Sequence, residues 1–232
     1  MVFIVMNKIQ KKRFFQHFFN TLAYWVALKL SSFIKLSYIV GSSAAFFSAT
    51  NILYSLGGCF LGTSGTCLWF VFSFFIRLLA GMPLYFHLIH GIPGFCAALY
   101  MATPHILIRL ILPLACMILF IVHPVGFYAA PYAFYWLIPI ALYFVKQKQK
   151  SLFTDALGAS FVSHAVGSVF WLYLVPMPVT YWWLLIPVVA IERLSFATGA
   201  VLLYSLSMYS LRMFKKIKIN VSTSFLKCKA ND

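Results

Sequence analysis

Asp155, His164, Glu192 and Arg193 are the side chains best able to do chemistry in this sequence, because polar groups are scarce around them. The chain has 232 residues with 18 Lys and Arg but only three Asp and Glu, of which Asp232 is the last residue. The other two acids, with His164 and Arg193, fall inside long apolar runs. A charge at bilayer depth costs about 2.5–3.5 kcal/mol on insertion scales, so it faces protein or water and takes a partner. Neighbours in sequence point to different sides of a helix, so Glu192 and Arg193 are expected to pair with other helices and not with each other. Two roles are open to Glu192: contact with a substrate or ion, and a bond between helices. An imidazole in apolar surroundings needs a hydrogen-bond partner, and His164 is a candidate for facing a ligand.

Other chemistries find less material. His87 and His90 share a helix face at i, i+3, but a metal needs a third ligand, usually a carboxylate or thiolate. None lies nearby, so no metal is expected and His90 reads as cavity lining. Aspartyl catalysis in the membrane needs two carboxylates, and only Asp155 and Glu192 lie in apolar runs. Gly62, Thr63, Ser64 and Gly65 only weakly echo a serine-hydrolase turn, and no HExxH zinc motif or Walker A sequence occurs. The expectation is a protein that is not an enzyme and carries no cofactor; an ATP-driven process would need a separate subunit.

The elements that position these groups follow from composition. Hydrophobic residues make up 63% of the chain and charged residues 9%, against about 25% charged in soluble domains. Lipid must therefore solvate most of its surface, and only helices or closed barrels satisfy their backbone there. Apolar runs at 36–61, 63–81, 83–103, 105–122, 126–145, 152–176 and 180–207 have helix rather than barrel-strand length. The breaks fall at Gly62, Gly81 to Pro83, Pro104, His123 to Gly126, the basic run 146–150, and Pro176 to Pro178. The formal charge of +15 sits in short flanks of these runs, which points to membrane lipid and not to nucleic acid. The five cysteines form no CxxC pair and read as small hydrophobes.

Positive charge marks the cytoplasmic side. Seven crossings would put the basic tail, Arg212 to Lys229, opposite the basic N-terminal cluster. An even number repairs this, and 83–103 is the segment that does not fit, since Gly91, Ile92, Pro93 and Gly94 interrupt it. The expected architecture is an all-α integral membrane protein: six transmembrane helices, a broken or re-entrant segment at 83–103, and an N-terminal interfacial helix. Residues 1–35 form a basic amphipathic segment, 36–210 the transmembrane domain, and 211–232 a basic tail. Both termini, Arg77, Arg109 and the run 146–150 are expected in the cytoplasm of a bacterial inner-membrane protein, with the turns at 62, 123 and 178 outside.

Two patterns lie on the helices. Asp155, Ala159, Ser163, Gly167 and Trp171 recur every four residues, with small residues that let helices approach closely; His164 and Ser168 lie beside them. Ala45 and Ala49 repeat this spacing in the first crossing, as do Gly58 and Gly62.

Small size, six helices, cytoplasmic termini, no nucleotide motif and the Ala45, Ala49 pair together resemble the substrate-binding S-components of energy-coupling factor vitamin transporters. The resemblance covers the layout of 36–210. It implies that Ala45 and Ala49 meet a transmembrane coupling subunit, that ATPase subunits complete the transporter, and that this chain binds a small nutrient. The substrate-binding residues would be His164, Ser168, Glu192, Tyr173, His90 and Phe95, around an uncharged ring compound such as a vitamin or nucleobase-like precursor. Trp182 and Trp183 read as interfacial anchors. A stand-alone permease, or a membrane enzyme using His164 and Glu192, are the alternatives.

Overall fold

The computed structural model describes residues 8–38, 46–83, 85, 89–145 and 151–214. The chain is almost wholly helical there. In order come α1 (Lys8–Ser31), a two-stranded antiparallel ladder of β1 (Lys35–Tyr38) and β2 (Phe46–Ser48), α2 (Thr50–Leu79) and α3 (Ile92–Ala102). A π-helical turn, Leu107–Ile111, leads into α4 (Leu112–Val122). Then follow the short α5 (Pro124–Tyr128) and α6 (Ala130–Ala133), a 3-10 turn, α7 (Leu137–Val145), α8 (Leu152–Leu174) and α9 (Val179–Phe214). Three of these runs, Thr50–Leu79, Leu152–Leu174 and Val179–Ser210, are long and apolar enough to cross a membrane. Such a chain fits an all-α membrane protein.

The first of the three doubles back. Gly62 has φ 65° and ψ −178°, a region that essentially only glycine enters. The rings of Tyr54 and Trp69 lie 5.7 Å apart, although fifteen residues of straight helix would separate them by about 22 Å. So α2 is a hairpin of two arms, 50–61 and 63–79. The break expected at Gly62 is present, and Gly62 is the turn rather than part of a close helix contact. Gly58 alone makes that contact: a Cβ there would run into the Ala98 carbonyl and the Ala102 amide on α3.

The described residues of 83–103 form no single span-length helix: Tyr85, Ile89 and His90 are helical, Gly91 is a turn, and helix resumes at Ile92. Pro93 lies in the first turn of that helix, where a proline's missing amide costs nothing. The Gly-Pro cluster thus breaks the segment, as the sequence suggests. The eleven residues of α3 rise about 16 Å.

The N-terminal segment differs from the expected interfacial helix. Thr21, Tyr24, Leu28 and Ser31 are buried on one face of α1. Tyr24 donates to the Leu53 carbonyl at 2.8 Å, and Thr50 Oγ1 to the Leu28 carbonyl at 3.3 Å. The second half of α1 is thus packed into the bundle. The predicted first crossing, 36–61, is also corrected. Helix begins only at Thr50, and 46–48 is strand. In a strand the side-chain period is two, so the four-residue spacing of Ala45 and Ala49 marks no helix face. Ala49 lies at the α2 N-terminus, its amide bonded to the Ile34 carbonyl at 2.9 Å; Ala45 is outside the described residues.

Contacts between helices fix the two ends of the bundle. The first α2 arm runs parallel to α3, pairing Tyr54 with Gly94 and Gly58 with Ala98 and Ala102. α8 runs antiparallel to α3, since Gly158 meets Tyr100 and Gly167 meets Pro93. One end therefore carries Gly62, Arg109 and Asp155, and the other carries Lys29, Arg77 and His90. This overturns the placement of Arg77 beside Arg109, and of the turn at Gly62 opposite it. The parity changed because α1 joins the bundle.

Arg109 ties the first end. It is buried, pairs with Asp155 at 3.0 Å, and donates to the carbonyls of Tyr100 at 2.9 Å and Thr103 at 3.1 Å. Those carbonyls belong to the C-terminal end of α3, where backbone acceptors lack helical partners. Its guanidinium also sits 4.5 Å over the Tyr100 ring. Loss of one partner of a buried ion pair costs about 3–5 kcal/mol. Arg109→Met is therefore expected to lower the unfolding midpoint in detergent sharply. Gly62→Ala is expected to cost about 1–3 kcal/mol through backbone strain, whereas Gly167→Ala, whose Cβ meets only Pro93 at 3.5 Å, leaves the midpoint nearly unchanged. Equal midpoints for the two glycine variants would rule out Gly62 as the reversing residue.

Candidate functional site

Between α1, α2 and α3 on one side and α6, α8 and α9 on the other lies a cavity of about 640 Å³. Its lining begins at the Lys29, Arg77 and His90 end and reaches inward to His164, Ser168, Glu192 and Arg193. Glu192 and Arg193 sit some fourteen residues into α9, and His164 ten residues from the end of α8. These positions lie about 15–20 Å along each helix, so the polar groups are at the middle of the bundle.

Of the sequence-derived residues, the cavity brings together His164, Ser168, Glu192 and His90. The other two lie elsewhere. Phe95 stacks on Phe70 at 4.3 Å. Tyr173 is half exposed, donates to the Leu119 carbonyl at 2.9 Å, and packs on the His123 ring. His87 falls outside the described residues. The stripe on α8 is split. Asp155 binds Arg109 and Ala159 is fully buried in packing, but Ser163, Gly167 and Trp171 face the cavity. Trp182 is 1% exposed, lines the cavity and packs against Phe120 and Tyr132, so it is no interfacial anchor; Trp183 is 47% exposed.

Glu192 and Arg193 do pair with each other, at 3.3 Å between Oε2 and Nη2. Adjacent helical residues diverge at Cβ, yet both side chains are long enough to turn into the same space. Both are buried, and the guanidinium also lies 4.6 Å over the Phe196 ring. The expected partnership with other helices is corrected to that extent. Tyr132 bridges the α6 segment to this centre: its hydroxyl is 3.1 Å from Ser168 Oγ, and its ring is 5.3 Å from that of His164.

Several buried polar atoms of residues that line the cavity have no hydrogen-bond partner among the described residues. They are His164 Nε2, Glu192 Oε1, Ser73 Oγ and the indole nitrogens of Trp69, Trp171 and Trp182. Buried polar atoms are nearly always paired with protein, water or ligand, and here six belong to residues around one volume. The residues that line it include Trp69, Trp171 and Trp182, the Glu192 carboxylate and the His164 imidazole. Among the described residues, no group of three His, Cys, Asp or Glu is placed to hold a metal ion.

Tyr54, Trp69, Ser73, Lys29 and Arg77 were not singled out from sequence. Their place on the lining depends on the α2 hairpin and on α1 packing against it, neither of which has a local signature in these residues. Trp182 had a signal, since it lies at the start of a long apolar run, but the same signal suits an interfacial belt.

Comparison with known protein families, characterised proteins and solved structures returns no match for this chain. If the Glu192–Arg193 pair is structural, Glu192→Gln alone removes the counter-charge of Arg193 and is expected to cost about 3–5 kcal/mol. The double variant Glu192→Gln/Arg193→Met is expected to recover most of that. A double-mutant cycle on the unfolding equilibrium measures the coupling, and an additive result would sink the pairing.

Proposed function

We propose that this protein is a membrane-embedded binding protein for a small organic molecule, acting in uptake. The observation that carries this reading is the cluster of buried polar atoms, unpartnered among the described residues, in the side chains around one aromatic-lined cavity. Its volume lies within the roughly 300–1,000 Å³ usual for small-molecule sites. A cavity that served only packing would be apolar.

The orientation of the bundle supports uptake. The start of α1 and the end of α9 lie at the Arg109 end, as Tyr24 meets Leu53 and Phe60 stacks on Tyr204. The sequence attaches most of its positive charge there, with Lys8, Lys11, Lys12 and Arg13 before the buried half of α1 and Lys215, Lys216 and Lys218 after α9. The positive-inside rule then puts that end in the cytoplasm, and the cavity faces outward. The finer reading, an S-component working with a coupling subunit and ATPase subunits, rests on small size, lack of a nucleotide motif and this outward cavity. The Ala45, Ala49 face no longer supports it.

A second reading has one observation behind it. His164 and Glu192 both line the cavity, and each carries a buried polar atom without a partner among the described residues; these are the residue types a general acid and base would need.

The test is extraction. Protein purified in mild detergent is expected to release a small organic compound on denaturation, identified by mass spectrometry. His164→Ala and Glu192→Gln are expected to carry at least about tenfold less, a loss of roughly 1.4 kcal/mol in binding, while Tyr173→Phe carries the same amount. A folded protein that binds nothing after exposure to cell extract would refute the proposal. Conversion of the extracted compound by the isolated protein would favour the enzyme.

A further inference from the structure

We infer that the outer half of this cavity is an anion site, so that the molecule taken up is an organic acid, a carboxylate or phosphate attached to an apolar or aromatic body. The inference rests on the binding role proposed above and specifies its ligand class.

It follows from where the few acids are. The whole chain has three. Asp155 answers Arg109 at the far end of the bundle, and Glu192 answers Arg193 at mid-depth; Asp232 is outside the described residues. The cavity lining therefore holds three permanent cations, Lys29, Arg77 and Arg193, against the single carboxylate of Glu192. The excess is concentrated at the mouth. Arg77 lies close enough to Lys29 and His90 for its charge to act on both, so like charges crowd together with no described carboxylate among them. Lys29 also lies 5.5 Å over the Trp25 ring, which holds the ammonium at the rim. A set of like charges around a low-dielectric cleft focuses its field and concentrates counter-ions, and a guanidinium suits carboxylate and phosphate geometry.

Elsewhere on the lining the requirements change. Trp69, Trp171 and Trp182 bring aromatic side chains, and Glu192, at mid-depth, brings a carboxylate. An acid group at the mouth and an apolar or aromatic body against these rings meet both requirements. The uncharged ring compound expected from sequence leaves the outer half unanswered.

The site can be probed without knowing the ligand. In full-length protein with Cys67 and Cys228 replaced by Ser, reconstituted in phosphatidylcholine nanodiscs, Ser163→Cys places one thiol on the inner lining. Its rate of modification is compared for the anionic sulfonatoethyl and the cationic trimethylammonioethyl methanethiosulfonates, each normalised to its rate on free cysteine. The anionic reagent is expected to be favoured by at least about tenfold. Lys29→Gln/Arg77→Gln is expected to bring the ratio close to one, and Lys29→Gln alone, on an exposed residue, to lower it partway if the double variant does not fold. Equal rates, faster cationic modification, or a preference unchanged by these substitutions would overturn the anion site while leaving a binding cavity. No modification by either reagent would instead remove the cavity, and with it both proposals. Protection by millimolar benzoate or phenyl phosphate supports the soluble organic acid; protection only by phosphatidylglycerol in the nanodisc would overturn it in favour of a lipid headgroup.

Discussion

The guanidinium of Arg109 is buried among apolar helices, and its charge has to be answered inside the protein. Water is not available to do so, and an uncompensated ion there costs several kcal/mol. Asp155 supplies the counter-charge, and the carbonyls of Tyr100 and Thr103 take the remaining donors. Three elements are thereby pinned at one point: the end of α3, the π-helical turn and the start of α8. Gly158 against Tyr100 and Gly58 against the α3 backbone are close approaches near the same end. The position of α8, and hence of His164 and Ser168, depends on this knot.

The same constraint governs the interior. With so few acids, a second buried arginine consumes the second buried carboxylate, and Glu192 and Arg193 form a local pair. Only one carboxylate oxygen is used, however. Glu192 Oε1, like the imidazole and indole nitrogens of other lining residues, has no partner among the described residues. The pair satisfies electrostatics while leaving hydrogen-bonding capacity within the cavity wall.

Part of this was legible in the sequence. Glycine at 62 and the Gly-Pro cluster at 91–94 are local signals, and both mark helix boundaries. His164, Ser168 and Glu192 stood out because polar groups in apolar runs are costly. Their meeting in one cavity was not legible, since it depends on how α8 and α9 are rotated. The role of α1 was hidden for another reason. Its basic and aromatic residues suit a headgroup layer as well as a bundle, and only the hydroxyls of Tyr24 and Thr50, bonded to carbonyls across the helix pair, decide between them. Ala45 and Ala49 misled because a spacing of four has meaning only if the chain between is helical. Arg77 and Lys29 looked like ordinary flanking charge until the hairpin brought them to one rim.

Reversal at Gly62 has a consequence for how the wall of the cavity can behave. Both α2 arms contribute to that wall, Tyr54 and Asn51 from the first and Trp69, Ser73 and Arg77 from the second. Joined by one unsupported glycine far from the rim, they resemble the blades of tweezers. At the rim the first arm is tied to α1 through Thr50, bonded to the Leu28 carbonyl and to Ser31, while the second arm ends at Leu79. The knot around Arg109 holds the opposite end, so a swing of the second arm would widen the aperture and break neither the Arg109–Asp155 nor the Glu192–Arg193 pair.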